Sequence, residues 1–179
     1  MNSNRRYEIR LSGSGGQGLI MAGIILAEAS SLYGGYNAIQ SQSYGPEARG
    51  GASKAEVIIS PDEIFFPKAQ KLDLLLSLSQ DACDKYYHDL KGDGILVVDT
   101  TYVKAVPHHE RVYAHPFTRI AIEKMGKAIV TNILCLGALA GIVKYVKLEH
   151  LKKTLKDRLP EHLLELNLKA LDEGHGLIG

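Results

Sequence analysis

Two runs of apolar residues, each the length of one β-strand, limit the fold more than any other feature of this sequence. They read LDLLLSLS (72–79) and GILVVDTT (94–101). Neither run alternates between apolar and polar residues, so neither suits a strand with one face in water. A strand that is apolar on both faces belongs in a sheet that is covered on both sides. We therefore expect a mostly parallel sheet between layers of helices.

Extended and helical patterns alternate along the rest of the chain, as such a sheet requires. Further strands are predicted at YEIRLS (7–12), SKAEVIIS (53–60) and, near an edge, PHHERVYAHP (107–116), with a brief extended YNAIQ (36–40). Helices are predicted at 19–34, 80–90, 118–126, 131–146, 148–159 and 160–174, and a turn at KGDG (91–94). The predicted fold class is α/β, a three-layer Rossmann-like domain with a mostly parallel sheet covered by helices, and residues 1–179 form that single domain.

The nearly balanced charge argues against partners that are attracted by a strong electrostatic field. Lys and Arg number 21 against 20 for Asp and Glu, a net charge of +1, which favours neither nucleic acid nor an anionic membrane. The longest uncharged run, 128–143, is shorter than the roughly 20 apolar residues of a membrane span. The start, MNSNRRYEIRL, has no apolar signal core, so we expect a cytoplasmic protein.

No catalytic or metal-binding constellation is evident. Cys83 and Cys135 stand 52 positions apart without a partner ligand at metal spacing, so we expect buried free thiols and no metal or iron–sulfur cluster held by this chain. The Gly92-Asp93-Gly94 triplet resembles the opening of a thiamine diphosphate motif, but the paired asparagines that should follow are absent. No catalytic residue is assigned.

A glycine-rich segment, GSGGQG (13–18), joins the first predicted strand to the first predicted helix. Gly13, Gly15 and Gly18 have the spacing of loops that bring backbone amides against a phosphate. The dinucleotide form expects an acidic residue about 20 positions on, where this chain has YNAIQSQ. Three readings stay open: a nicotinamide or flavin dinucleotide, a phosphate of another ligand, and a tight turn that faces another protein chain. Gln17 favours contact with another molecule, since a turn alone would not need its amide.

A second segment, QSQSYGPEARGG (40–51), has no ordinary structural role. It is too polar for a core strand and too rich in Gly and Pro for a helix. It also carries an aromatic ring, Tyr44, and a guanidinium group, Arg49. We interpret it as an interaction loop.

These two segments together resemble the gamma subunit of the 2-oxoacid:ferredoxin oxidoreductases, and the resemblance runs almost end to end. FPKAQKLDLLLSLSQDACDKY, LKGDGILVVDTTYV and TNILCLGALAG are similar to later blocks of that family, in the same order, and LNLKALDEG resembles its usual end. SYGPEARGG preceded by QSQ is most similar to the gamma chain of 2-oxoglutarate synthases (KorC-type). Branched-chain 2-oxoacid and pyruvate enzymes have related gamma chains.

The resemblance implies a required subunit of a heteromeric complex that also contains alpha, beta and, in some members, delta subunits. Such a complex converts 2-oxoglutarate, coenzyme A and oxidised ferredoxin to succinyl-CoA, CO2 and reduced ferredoxin. Thiamine diphosphate would lie between alpha and beta chains and iron–sulfur clusters in beta or delta chains, so the isolated chain would bind no cofactor and be inactive. Exposed apolar surface left without these partners would favour a homodimer of the isolated chain.

The resemblance also implies that the two loops face coenzyme A or a partner chain. The residues expected to do so are Gly13, Gly15, Gly16, Gln17, Gly18, Ser43, Tyr44, Gly45, Arg49, Gly50, Gly51 and Asn132. Arg49 would pair with a phosphate of coenzyme A or, alternatively, with a carboxylate of Glu47 or of the alpha chain. Asn132 either faces the same cleft or, like Thr131, caps the helix that begins there.

Two other functions remain alternatives at this point. One is a stand-alone nucleotide-binding oxidoreductase, which would bind a nicotinamide or flavin cofactor by itself. The other is a free-standing binding or regulatory module, which would dock a partner without turnover.

Overall fold

A single six-stranded sheet organises the protein, whose computed structural model describes residues 6–42 and 51–178. In space the strands follow the order β2-β3-β1-β4-β5-β6. In chain order they are β1 (Tyr7–Ser14), β2 (Asn37–Gln42), β3 (Ala52–Ser60), β4 (Leu72–Ser77), β5 (Leu90–Asp99) and β6 (Val112–His115). Strands β1, β4, β5 and β6 are parallel to one another, so the predicted mostly parallel sheet is confirmed.

Strand β3 departs from the simple parallel arrangement. It pairs antiparallel with β1 on one side and with β2 on the other, and so separates these two strands. Strand β2 therefore lies at an edge of the sheet, where polar side chains are tolerated. For this reason Gln40, Ser41 and Gln42 continue the strand, and the prediction that the loop starts at Gln40 is wrong.

Helices cover both faces of the sheet, but unequally. They are α1 (Leu19–Glu28), α2 (Gln80–Tyr86), α3 (Phe117–Met125), α4 (Thr131–Ile142), α5 (Leu148–Arg158) and α6 (Glu161–Gly176). All except α2 contribute to the larger core, while α2 packs on the opposite face in a smaller core. Alternate residues of β4 enter the two cores, Leu74 and Leu76 the larger and Leu75 the smaller, so this strand is apolar on both faces as predicted. None of the described helices is long and apolar enough to cross a membrane.

Strand β5 begins earlier than predicted because KGDG is not a turn. Leu90 pairs with Leu72 and Ile95 with Leu74, so four residues of β5 lie opposite one residue of β4, Asp73. Lys91, the first of the four, donates from Nζ to Asp73 at 2.7 Å. The segment is a break in register within one strand.

Three predicted helices are shorter than expected, and one of them, α2, ends at Tyr86 before a 3-10 turn, Tyr87–Asp89. Helix α1 ends at Glu28 and continues as one π-helical turn, Ala29–Tyr33, in which the Ser30 hydroxyl donates to the Leu26 carbonyl at 2.8 Å. Such back-bonding bends a helix. Helix α4 ends at Ile142, because Val143 is extended. The chain after it places the Tyr145 ring 5.4 Å from Tyr7 and 5.2 Å from Tyr36.

The smaller-core face of the sheet carries a buried ion-pair cluster at β1 and β3. Arg10, which is 4% exposed, donates from Nε and Nη2 to Glu56 Oε1 at 3.0 and 2.7 Å. Its third nitrogen donates to Asp89, and its guanidinium carbon lies 4.9 Å from the Tyr86 ring centre. Lys54 donates to the same Glu56 oxygen at 3.1 Å. A cationic side chain on a central strand is stable here because each charge has a partner.

The contact between α4 and α6 depends on glycines. A Cβ atom at Gly174 would collide with the carbonyl oxygen of Leu134, and one at Gly137 with that of Leu171. Because the obstructing atoms are backbone, they cannot move aside without separating the helices.

We predict that Gly174→Ala lowers the free energy of unfolding by about 2 to 3 kcal/mol, since overpacking forces the α4 backbone away. Gly176→Ala, in the same helix, is the matched control, because its Cβ would meet nothing within 4 Å. Urea unfolding of both variants measures the difference. Equal stability of the two variants would contradict the packing described here.

We also predict an acid-dependent stability that involves Glu56. Burial raises the pKa of this carboxyl group, but the hydrogen bonds and charges of Arg10 and Lys54 outweigh burial, and the pKa falls below its ordinary value. A depressed folded-state pKa means that the stabilisation is present above the unfolded-state pKa and is lost as the pH falls through the folded-state value. The wild type should therefore lose more stability between about pH 5 and pH 3 than Glu56→Gln does.

At neutral pH, Glu56→Gln should be less stable than the wild type by about 1 to 3 kcal/mol, because it leaves buried Arg10 short of an anionic partner. Glu123→Gln is the control, since its side chain is 66% exposed. Thermal unfolding across the pH range tests both statements. Parallel pH profiles for wild type and Glu56→Gln would be inconsistent with the shifted pKa.

Candidate functional site

The glycine-rich segment lies at the edge of the sheet where the parallel strands end. Helix α1, which follows β1, packs in the larger core, and α2, which follows β4, packs in the smaller core. Since β1 and β4 are neighbours, their connections leave on opposite faces and open a crevice between them. Crevices of this kind are the usual ligand sites of α/β sheets. We call this side of the protein the C-terminal edge.

The glycine loop, residues 15–18, needs glycine at two positions for its backbone. Gly16 and Gly18 have φ angles of 86° and 70°, in the left-handed region that other residues avoid. Gly18 also lacks room for a side chain, because a Cβ atom would lie 2.5 Å from Asn132 Nδ2. The prediction began this turn at Gly13, but Gly13 and Ser14 are still part of β1.

Gln17 closes the crevice from within the chain. Its Oε1 accepts a hydrogen bond from the Ser14 amide at 2.7 Å, and its Nε2 donates to the Leu78 carbonyl at 3.3 Å. A Cβ atom at Gly13 would collide with Gln17 Oε1, so glycine there leaves room for the amide in this position. The premise that the turn itself would not need the Gln17 amide is therefore wrong, since the turn uses both ends of that amide.

Gly15 differs from the other glycines of the loop. A Cβ atom there would meet nothing within 4 Å, and the φ angle of Gly15 lies outside the left-handed region. Neither backbone conformation nor packing within the described chain requires glycine at this position. Glycine there leaves the backbone open to close approach by a group outside the described residues.

Asn132 connects the glycine loop to α4. Its Nδ2 donates to the Gly18 carbonyl at 3.0 Å, and its Oδ1 accepts from the Ile133 amide at 2.9 Å. The Thr131 hydroxyl donates to the Ala128 carbonyl at 2.7 Å and so does not cap the helix. The N-cap residue of α4 is Val130, and no side chain caps the helix, so the predicted cap by Asn132 or Thr131 is not found. Asn132 lies in the first turn of α4, beside the glycine loop.

The second loop falls mostly outside the described residues. This applies to the expectations for Ser43, Tyr44, Gly45, Arg49 and Gly50. The described residues on either side are Gln42, at the end of β2, and the exposed Gly51, directly before β3. Ala52, the next residue, pairs with Ser14. The second loop therefore ends beside the glycine loop.

Two clefts flank the glycine loop, with volumes of about 230 and 290 Å³. The first is lined by Gly16, Gln17, Tyr102, Thr118, Ala128, Ile129 and Thr131, and the second by Ser14, Gly16, Gln17, Gly18, Leu19, Ile20 and Ser53. Sequence reasoning missed Tyr102, which is 51% exposed. Its position just after β5 could have indicated a cleft residue, because ligand sites lie beyond the carboxyl ends of parallel strands. Among the described residues, no Lys or Arg lines either cleft.

A third, more apolar cavity of about 290 Å³ adjoins the loop at Gly18. It lies between α1, α4 and α6, and Met21, Ile129 and Leu163 on its lining are 43%, 63% and 39% exposed. The polar residues on the same lining are Lys127, Asn132 and Asn167. The C-terminal edge therefore combines the exposed backbone of the glycine loop with an apolar cavity.

The titratable groups near this edge serve the structure. Asp99 is fully buried and accepts from the Thr101 amide at 2.9 Å and from the hydroxyl of Thr118 at 2.5 Å. Burial raises the pKa of both thiols, Cys83 and Cys135, and the latter is raised further by Asp99. These thiols are therefore protonated at neutral pH and unsuited to nucleophilic or metal-ligand roles. Within residues 6–42 and 51–178, no cluster of three His, Cys, Asp or Glu side chains could hold a metal ion.

The geometry disfavours a dinucleotide. In a dinucleotide-binding sheet, the ribose acid ends the strand next to β1. Here that neighbour is the antiparallel β3, and the strand that follows α1 ends in Gln42 at the edge of the sheet. Gln17 also holds the Ser14 amide that a phosphate would otherwise meet.

We predict that Gln17→Ala frees this amide. The exchange of the Ser14 amide hydrogen should become at least about tenfold faster, and the free energy of unfolding should fall by about 1 to 2 kcal/mol for the lost hydrogen bonds. Hydrogen exchange followed by NMR makes the measurement, and Gln70→Ala, at an exposed position, is the control. An unchanged exchange rate at Ser14 would show that Gln17 does not close the loop.

Comparison with known proteins gives the family. The model of the pyruvate ferredoxin/flavodoxin oxidoreductase family matches residues 8–177. The chain is 49% identical to 2-oxoglutarate synthase subunit KorC of Methanocaldococcus jannaschii, over 98% of this chain and 97% of that protein. It is 30% identical to ketoisovalerate oxidoreductase subunit VorA of Methanothermobacter thermautotrophicus, over 93% of this chain but 35% of that longer protein.

The fold agrees with this assignment. The crystal structure of the keto/oxoacid ferredoxin oxidoreductase gamma subunit from Geobacter sulfurreducens superposes with a TM-score of 0.90, at 47% identity and with 97% of each chain covered. Sequence and fold match over nearly the whole length, so the chain belongs to the pyruvate ferredoxin/flavodoxin oxidoreductase family.

Proposed function

We propose that this chain is the gamma subunit of a 2-oxoacid:ferredoxin oxidoreductase whose substrate is 2-oxoglutarate. The observation that carries the proposal is the 49% identity to a 2-oxoglutarate synthase subunit across almost the full length of both proteins. The complete reaction takes 2-oxoglutarate and coenzyme A to succinyl-CoA and CO2. Two electrons pass to ferredoxin.

The residues of this chain do not fit the cofactors of that reaction. Asp93, in the only segment that resembles a thiamine diphosphate motif, lies in the register break of β5. The two cysteines are buried and protonated, and four thiolates are the usual ligands of an iron–sulfur cluster. We therefore assign the thiamine diphosphate and the clusters to partner subunits and derive no chemical step from this chain.

The C-terminal edge is the part of the chain we assign to coenzyme A. Helix α1 starts there without a side-chain cap and without an acidic residue in its first turn, which leaves its amides available to an anion. Gly15 leaves the approach open, and the apolar cavity beside Gly18 would suit the less polar arm of the ligand. Arg49 would supply the positive charge that the clefts lack. Its alternative role is to pair with a carboxylate of Glu47 or of the alpha chain.

The subunit role is tested by co-expression with the genes beside this one. Purification through a tag on this chain should yield a complex that reduces viologen in the presence of both 2-oxoglutarate and coenzyme A, while the isolated chain should be inactive. Pyruvate and branched-chain 2-oxoacids are the control substrates. A preference for one of them would overturn the choice of substrate, and a chain that purifies without companions would overturn the subunit role.

Gly15→Ala tests the assignment of the glycine loop. In the assembled complex we expect the KM for coenzyme A to rise about tenfold or more, because an added methyl group displaces a ligand held against the backbone. Stability should not change, since the methyl group meets nothing within the chain, and Gly92→Ala, with equally open space, is the control. Unchanged KM with intact assembly would exclude the loop from the site. Loss of assembly would mean that the loop faces a partner chain.

A further inference from the structure

The segment between β3 and β4, residues 61–71, forms a loop at the opposite edge of the sheet from the glycine loop. Strand β3 ends at Ser60, which pairs with Asn37 at the start of β2, and Ile59 pairs with Tyr7 at the start of β1. The loop therefore leaves the sheet where the parallel strands begin. We call residues 61–71 the aromatic loop, because they contain Phe65 and Phe66.

The two phenylalanines are exposed to solvent. Phe65 is 86% exposed, the largest value among the exposed large hydrophobic side chains of the described residues, and Phe66 is 49% exposed. Adjacent exposed aromatic rings lose the stabilisation of burial, about 25 cal/mol for each Å² of apolar surface. A flexible loop would be expected to fold such rings against the protein.

Two charged side chains, the partly exposed Arg6 and the buried Glu8, hold the base of this loop in place. The Arg6 guanidinium group donates to the carbonyls of Phe66 and Lys68 at 2.5 and 2.6 Å. The buried Glu8 carboxylate accepts from the amides of Gln70 and Lys71 at 2.6 and 3.0 Å. Hydrogen bonds to charged groups are about twice as strong as neutral ones.

Arg6 and Glu8 also fix each other. Arg6 Nε donates to Glu8 Oε1 at 2.7 Å, and the Glu8 amide donates to Asp73 at 2.8 Å. Arg6 directly precedes β1, Glu8 lies in β1, and Asp73 lies in β4, so the anchoring side chains start from the centre of the sheet. The aromatic rings sit on a preorganised support, which lowers the entropic cost of burying them in an interface.

The charges beside the rings indicate the chemistry of the partner. Asp62 and Glu63 precede the phenylalanines, are exposed, and form no ion pair with the part of the chain that the structure describes. The two lysines of the loop are directed elsewhere: Lys68 lines the cleft beside β2, and Lys71 donates from Nζ to the His88 carbonyl at 3.3 Å. A complementary surface would have an apolar pocket for the rings and basic residues at its rim.

The same charges argue against a second copy as the occupant. In a symmetric dimer built on this loop, each subunit presents the same patch, so acidic pairs placed close to the two-fold axis would repel each other. The length of the VorA relative points to another polypeptide instead. Its matched region is about a third of that chain, so the corresponding domain is covalently continuous with further protein.

We propose that the aromatic loop is an anchor by which this chain docks on a companion subunit of its complex, at an apolar pocket with a basic rim. This inference rests on the proposed subunit role and adds to it a surface distant from the coenzyme A edge. The rings supply the buried apolar area, and Asp62 and Glu63 supply the orientation.

The test measures the affinity of tagged chain for its companion subunits in reconstitution, using the double variant Phe65→Ser/Phe66→Ser. Aromatic anchors dominate interface affinity, so we expect the Kd to rise at least about tenfold. Ile122→Ser is the matched control, because Ile122 is 49% exposed, as Phe66 is, but lies on α3. It should leave the Kd unchanged. Circular dichroism should show that both variants remain folded.

A second variant tests the charges. Asp62→Lys/Glu63→Lys should weaken assembly most at low ionic strength, where the repulsion from a basic rim is least screened. The proposal is overturned if the double serine variant assembles with wild-type Kd, or if that variant only disrupts a homodimer of the isolated chain. If the wild-type chain binds no companion at all, the subunit role fails first, and this anchor fails with it.

Discussion

The arrangement of the protein depends on the burial of β4 and β5 on both faces. Their side chains enter the larger and the smaller core alternately, so neither face of the central sheet can be left in water. Helix α1 must then cover one face and α2 the other. Because α1 follows β1 and α2 follows the neighbouring β4, the same requirement opens the crevice at the C-terminal edge. The position of the candidate site is thus a consequence of how the core is covered.

The glycine loop shows how one set of residues can resemble a nucleotide site without retaining its chemistry. Each of three glycines has a reason within the chain: Gly13 accommodates the Gln17 amide, Gly16 takes a positive φ, and Gly18 lies against Asn132. Only Gly15 has no such reason in the described chain. Gly15, the outermost point of the motif, is therefore the part that we propose to face an external molecule, while Gln17 bonds to Ser14 and Leu78 within the chain.

We propose different roles for the two ends of the sheet. The C-terminal edge has backbone amides, small clefts and an apolar cavity, which suit a ligand of moderate size. The opposite edge has two exposed rings on a loop that is tied to Arg6 and Glu8, which suits a protein surface. A subunit that contacts both a shared ligand and a neighbouring chain needs a ligand site and a docking surface. Here the two features lie at opposite ends of the strands.

Most secondary elements could be predicted because their signals are local. The apolar run of β4, the helical spacing of α5 and α6 and the glycines after α1 depend on neighbours in sequence. The failures share another cause. The composition of KGDG predicts a turn, but the segment lies within β5, as a break in the register of its pairing with β4. Gln40 and Gln42 are polar, but they lie in a strand because β3 leaves β2 at an edge, where water can reach it.

The sequence by itself determined the α/β class, the two doubly covered strands and the resemblance to the 2-oxoacid:ferredoxin oxidoreductase gamma subunit, because these follow from periodicity and from contiguous motifs. Only the tertiary structure decided that β3 separates β1 from β2, that Gln17 bonds to Leu78, and that Asn132 bonds to Gly18. The two hydrogen bonds join residues that are 61 and 114 positions apart in the chain. Such pairs leave no periodic signal in the chain, since they are selected by the packing of the whole sheet and its helices.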